Sequence, residues 1–229
     1  MEIESELILD GISTINPTCD IHIVHARVKV DERATTMMKT IMDTSWISRV
    51  EDLLKGSYEA NMNRSVEMLK KIIIDSEGHI TKEFGQYLIP MTAQDVLELK
   101  YGHKKIVLAE IFKPRKSGNE GFDFHTISHK GVIVFGEAKY RRHGTKHTEA
   151  IEQAVEFIKD KKDESDFPHL VNLIDRKLVE KAKNGKKSYS TATSMETCVD
   201  LDEIKELECF KELTKYEEVY LIGVIIDDR

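Results

Sequence analysis

The chain has 229 residues, 40% of them hydrophobic and 33% charged, with a formal net charge of -7. That length accommodates one large domain or a core with an extra lobe, and the acidic balance excludes a simple nucleic-acid coat. No apolar run approaches the roughly 20 residues that a membrane helix needs, and the acidic opening MEIESELILDG lacks the basic start and apolar centre of a signal peptide. Cys19, Cys198 and Cys209 show no CxxC spacing, which argues against a cysteine zinc site and a disulfide framework and predicts a reducing, cytoplasmic location.

In chain order, DIHIVHARVKV (20–30) alternates like a half-buried strand. From Ala34 to Leu54 apolar residues recur at helical spacing, and NRSVEMLKKIII reads as a second helix capped near Asn63 or Ser65. TKEFGQYLIPMTAQDVLELK (81–100) is helical, with Thr81 as cap and Pro90 as a kink or break. KKIVLAEIFK (104–113) is taken as a strand between Gly102 and Pro114. FDFHTIS (122–128) and VIVFGEAKY (132–140) form a hairpin about HKG. A basic loop, RRHGTKH, precedes the helix EAIEQAVEFIKDK, with Thr148 as its cap. Residues 160–215 read as an excursion whose KNGKKSYSTATS stretch is polar and mobile. EEVYLIGVIIDD (217–228) is apolar enough for a central strand buried on both faces.

The hairpin carries the chemistry. Side chains alternate across a strand, so Glu137 and Lys139 share one face and Ala138 takes the other. A turn at 129–130 sets Asp123 across from 136–137, close to Glu137. Two adjacent carboxylates repel each other unless a cation lies between them. Mg²⁺ suits that position, since it takes oxygen ligands and is held by one or two carboxylates plus water and phosphate. It would acidify a bound water and neutralise charge on phosphorus, with Lys139 placed to orient that water or accept its proton. Charge is also uneven along the chain: 100–146 is rich in Lys, Arg and His, whereas DESD and DLDEIKELE are acidic.

GFD followed by VIVFGEAK resembles the PD-(D/E)XK nuclease superfamily, whose catalytic residues fall on Asp123, Glu137 and Lys139, the first two as metal ligands. The proline of that motif is replaced by Phe122. The resemblance implies an α/β fold with a restriction-endonuclease-like αβββαβ core, a mixed central sheet flanked by helices. The core would span 80–229 with a 160–215 insertion, and residues 1–79 would form an N-terminal α+β extension packed on it. Within the superfamily, EIFKPRKSGNEGFDFH…VIVFGEAKY is most similar to the nuclease subunits of the Hachiman antiphage defence system. That implies a Mg²⁺-dependent deoxyribonuclease (Mn²⁺ substituting) acting on DNA, and a heterodimeric partner, a superfamily 2 helicase that restrains it.

Members of the superfamily often add an acid from the first helix, for which Glu83 and Glu98 are candidates and Gln86 a further one, and a polar residue from the helix after the ExK strand, here Gln153. Arg141, Arg142, Lys146 and His147 follow the strand and could hold the phosphate backbone. Glu110 depends on whether its segment is a strand. His125 and His129 lack a third ligand for zinc and read as structural or surface residues, and Trp46 reads as core and not as a base-stacking platform. Two other readings compete: a stand-alone homodimeric type II restriction endonuclease, and a non-catalytic nuclease-fold binding subunit.

Overall fold

A computed structural model describes residues 1–9, 18–75, 80–112, 121–141, 147–196, 204 and 207–227. The protein is α/β, built on one mixed sheet of seven strands flanked by helices. The first strands are β1 (Glu2–Leu9) and β2 (Asp20–Lys29). Helix α1 (Val30–Met42), a 3-10 turn (Ser45–Arg49), α2 (Asp52–Asp75) and α3 (Lys82–Tyr101) come next. After β3 (Lys104–Lys105) and the one-turn α4 (Ala109–Phe112) comes the hairpin of β4 (Phe124–Ile127) and β5 (Ile133–Lys139). Helices α5 (His147–Lys159), α6 (Lys162–Leu170) and α7 (Arg176–Lys183) lead to β6 (Lys187–Met195). A short α8 (Glu208–Leu213) precedes β7 (Glu218–Asp227).

The strand order is β1-β2-β7-β6-β5-β4-β3. β2, β7, β6 and β5 run parallel to one another, while β1 pairs antiparallel with β2, β4 with β5 and β3 with β4. Four parallel strands need both faces covered, and two cores do this. One places Val134, Ala192, Ile222 and Val24 against Phe84 and Leu88 of α3 and Met37 of α1. The other places Phe135, Tyr189 and Leu221 against Ile151 of α5, Phe167 of α6 and Phe210 of α8.

Several expectations hold in detail. Thr81 caps α3 by accepting from Phe84 N at 3.0 Å, and β7 is buried along most of its length. Others are corrected. Pro90 does not break α3, which runs through it from Lys82 to Tyr101. KKIVLAEIFK gives only a two-residue strand and then helix α4. The segment 34–54 is not one helix, because a 3-10 turn separates α1 from α2. The second helix starts at Asp52, before Asn63 and Ser65, and α5 starts at His147, one residue before Thr148.

The largest correction concerns 183–194. Instead of a mobile polar segment it supplies β6, paired on both sides and buried at every position after Lys187. Its small β-branched and hydroxyl side chains fit a strand closed in between β5 and β7, where composition alone suggested solvent. β6 thus lies between β5 and β7 in the sheet.

Candidate functional site: a carboxylate-lined cleft at the end of the hairpin

β4 pairs with β5 in the register Phe124↔Gly136, which carries position 123 opposite 137. Asp123 N donates to Gly136 O at 2.9 Å, and Ala138 N donates to Asp123 Oδ2 at 2.8 Å. The carboxylate of Asp123 is thus anchored to the backbone between Glu137 and Lys139. Gly136 makes this approach feasible, since a Cβ there would meet the Phe124 ring at 2.2 Å. A similar contact seats the residue after Lys139: the Tyr140 ring lies 2.2 Å from where a Cβ on Gly85 of α3 would stand.

The far end of β5 opens into a cleft of about 210 Å³. Asp123, Glu137, Ala138 and Lys139 line one side, Gln86, Tyr87 and Pro90 of α3 another, and Leu108 and Gln153 complete the wall. Glu137 is only 3% exposed, and its Oε1 lies 3.6 Å from Lys139 Nζ, whose side chain is 32% exposed. Two carboxylates against one ammonium leave the lining acidic, and such a set favours a cation. Among the described residues the side-chain groups that line the cleft include carboxylates, amides and an ammonium, and carboxylate oxygens suit a hard oxygen-seeking ion. Among the described residues no group of three or more His, Cys, Asp or Glu is placed to hold a metal. An ion here would be held by Asp123 and Glu137, with water completing its shell.

The structure brings Asp123, Glu137, Lys139, Gln153 and the candidate Gln86 to one cleft, and adds Tyr87. Glu83 lies a turn before Gln86, is exposed and does not line the cleft. Glu98 lies towards the other end of α3, ion-paired with Lys105 at 2.7 Å. Arg141 is exposed and paired with Glu149 of α5. Arg142 and Lys146 lie outside the described residues, as does the side chain of Glu110.

His147 is buried, and that burial, with His25 as a lesser cause, pushes its pKa down to about 4. It is therefore neutral near pH 7 and is no phosphate contact. His125 is fully buried and meets Asp166 of α6 at 2.9 Å.

No family model matches the chain, nor does any curated protein or solved structure.

Two supports of the site were not read from the sequence. Ser194 Oγ accepts from Arg141 N at 2.7 Å and donates to Arg141 O at 2.8 Å, fastening the chain leaving the hairpin to β6. Asp166 also accepts from Phe122 N at 3.2 Å, so Asp166 grips the backbone beside Asp123. Neither carries a local motif; Ser194 lies in a stretch read as loop, and Asp166 is more than forty residues from both of its partners.

Proposed function

We propose that the protein is a metal-dependent deoxyribonuclease of the PD-(D/E)XK kind, serving antiphage defence alongside a superfamily 2 helicase. The observation that carries the reading is the convergence of Asp123, Glu137 and Lys139 on one cleft at the open end of the β4–β5 hairpin. Asp123 and Glu137 are the side chains that would hold Mg²⁺. When bound, the ion supplies an acidified water and charge neutralisation at phosphorus.

The chain's own residues do the rest. The backbone anchor on Asp123 fixes one carboxylate without the rotamer loss of a surface acid. Glu137, buried at the strand end, supplies charge in a poorly hydrated place, where it acts strongly on anything cationic. Lys139, partly exposed beside it, orients the attacking water and holds or takes its proton. Gln86 and Gln153 offer neutral hydrogen-bonding groups from two helices towards the same space.

The test is conversion of supercoiled plasmid to nicked and linear forms by the purified chain, with Mg²⁺, Mn²⁺ or EDTA, beside a folded Lys139→Ala variant. Metal-dependent cutting that disappears in the variant supports the reading. Cutting that persists in Lys139→Ala overturns the assignment. A smear separates the proposed enzyme from a sequence-specific restriction endonuclease, which gives discrete bands.

A further inference from the structure

A second and larger concavity shares Leu108 with the cleft and follows the β3 edge of the sheet. Its volume is about 420 Å³, twice that of the cleft. That lies within the roughly 300–1,000 Å³ range of small-molecule sites, whereas the cleft suits an ion and a single phosphate group. The end of α1 with Asp43 after it, the 3-10 turn, α3, β3 and α4 all line the groove. The 3-10 turn contributes Trp46 and Arg49, α3 contributes Met91 and Gln94, and Lys104 and Val107 come from β3 and the residues after it.

The groove is held in shape. Gln94 Nε2 donates to Ile106 O at 2.6 Å and to His125 O at 3.0 Å, tying α3 to the chain after β3 and to β4. The indole of Trp46 meets Tyr58 edge-on at 6.0 Å and packs against both cores, so it is fixed although only half-buried. Asp43 and Glu98 also line the groove, and Glu98 is taken up by Lys105 at 2.7 Å. The indole, the apolar side chains and the cations Arg49 and Lys104 match a flat heterocycle attached to a phosphate. Aromatic rings stack on bases regardless of sequence, and cationic side chains follow the backbone. An apolar peptide side chain would leave Arg49, Lys104 and Asp43 around it without use.

We propose that this groove holds an unstacked nucleobase of the strand whose backbone lies in the cleft, with Trp46 as the stacking platform and Arg49 and Lys104 meeting the flanking phosphate. The assignment rests on the nuclease reading of the cleft, and it makes the substrate a single-stranded or frayed strand, since a paired base cannot leave the helix without cost.

Trp46 is the chain's one tryptophan, so its fluorescence reports on this groove alone. The experiment titrates a short oligothymidylate into the full chain carrying Lys139→Ala, in EDTA, and reads Trp46 emission together with anisotropy of a labelled oligonucleotide. Saturable quenching with matching anisotropy is expected. Trp46→Leu should weaken binding by about tenfold or more, the size of one base stack. Arg49→Ala, an exposed site that spares the fold, should weaken it by about fivefold.

Oligonucleotide binding that leaves Trp46 emission unchanged overturns the proposal, as does the absence of any binding. Unaltered affinity in folded Arg49→Ala and Trp46→Leu overturns it too. Failure of the two readings is separable: quenching without metal-dependent cutting sinks the nuclease and keeps the groove, and cutting without quenching does the reverse.

Discussion

The β4–β5 hairpin carries two acid–base pairs with opposite surroundings. At its open end Glu137 and Lys139 face a cleft with Asp123. Two residues along from Asp123, His125 meets Asp166 at 2.9 Å, and both side chains are fully buried. The chemistry of the pairs is alike, but access differs. The enclosed pair spends its interactions on joining α6 to the strand, and it can do no work on a substrate. The open pair keeps an ammonium partly in solvent beside a buried carboxylate, an arrangement that gains from a cation and a phosphate. Burial on both sides therefore separates a strut from a site more reliably than residue type does.

The sharpest way to break this contrast is to remove each pair in turn. Glu137→Gln and Lys139→Ala should each lower plasmid cutting by about 10³-fold or more, while urea unfolding stays close to that of the parent. A large loss of stability in both variants would make the open pair a strut as well. Asp166→Ala should behave in the opposite sense, costing about 2–4 kcal/mol in urea unfolding because the buried His125 ring and Phe122 N both lose their acceptor. A change below about 1 kcal/mol would show that the enclosed pair contributes little.

Acid should act through two buried histidines. Burial pushes His103 down to about 4, with His129 and His22 adding to the shift, and His147 is held at about 4 by burial and His25. A depressed histidine binds its proton more readily in the unfolded chain, so its stabilisation is complete above the unfolded value of about 6.5 and is lost as pH falls towards 4. Each should withdraw up to about 3 kcal/mol over that window, read as a falling urea midpoint that flattens in His147→Gln. A midpoint constant between pH 6.5 and 4 would contradict the burial of both rings. The smallest effect concerns the hinge between the pairs. Gly136→Ala should cost about 1–3 kcal/mol, since its Cβ meets the Phe124 ring, and cutting should fall along with stability as the anchor on Asp123 shifts.

Much of the site was legible because a hairpin is local. Alternation put Glu137 and Lys139 on one face, and the short turn fixed Asp123 opposite them, as the register Phe124↔Gly136 bears out. The sequence also placed the cap at Thr81, the buried run of β7 and the helix bearing Gln153. These are determined by periodicity and by neighbours a few residues apart.

What lay beyond reach depends on distant partners. β6 reads as a polar loop because its serines and threonines carry no apolar pattern; only pairing with β5 and β7 and cover on both faces make it a strand. KKIVLAEIFK reads as a strand, yet the chain leaves the sheet after Lys105 and turns into α4. On α3 sequence offers Glu83, Glu98 and Gln86 alike, and only helix orientation against the sheet turns Gln86, with Tyr87, to the cleft. Residue order thus set which side chains share a strand face, whereas tertiary packing decided which face stayed open, because burial is a property of what long-range contacts bring alongside.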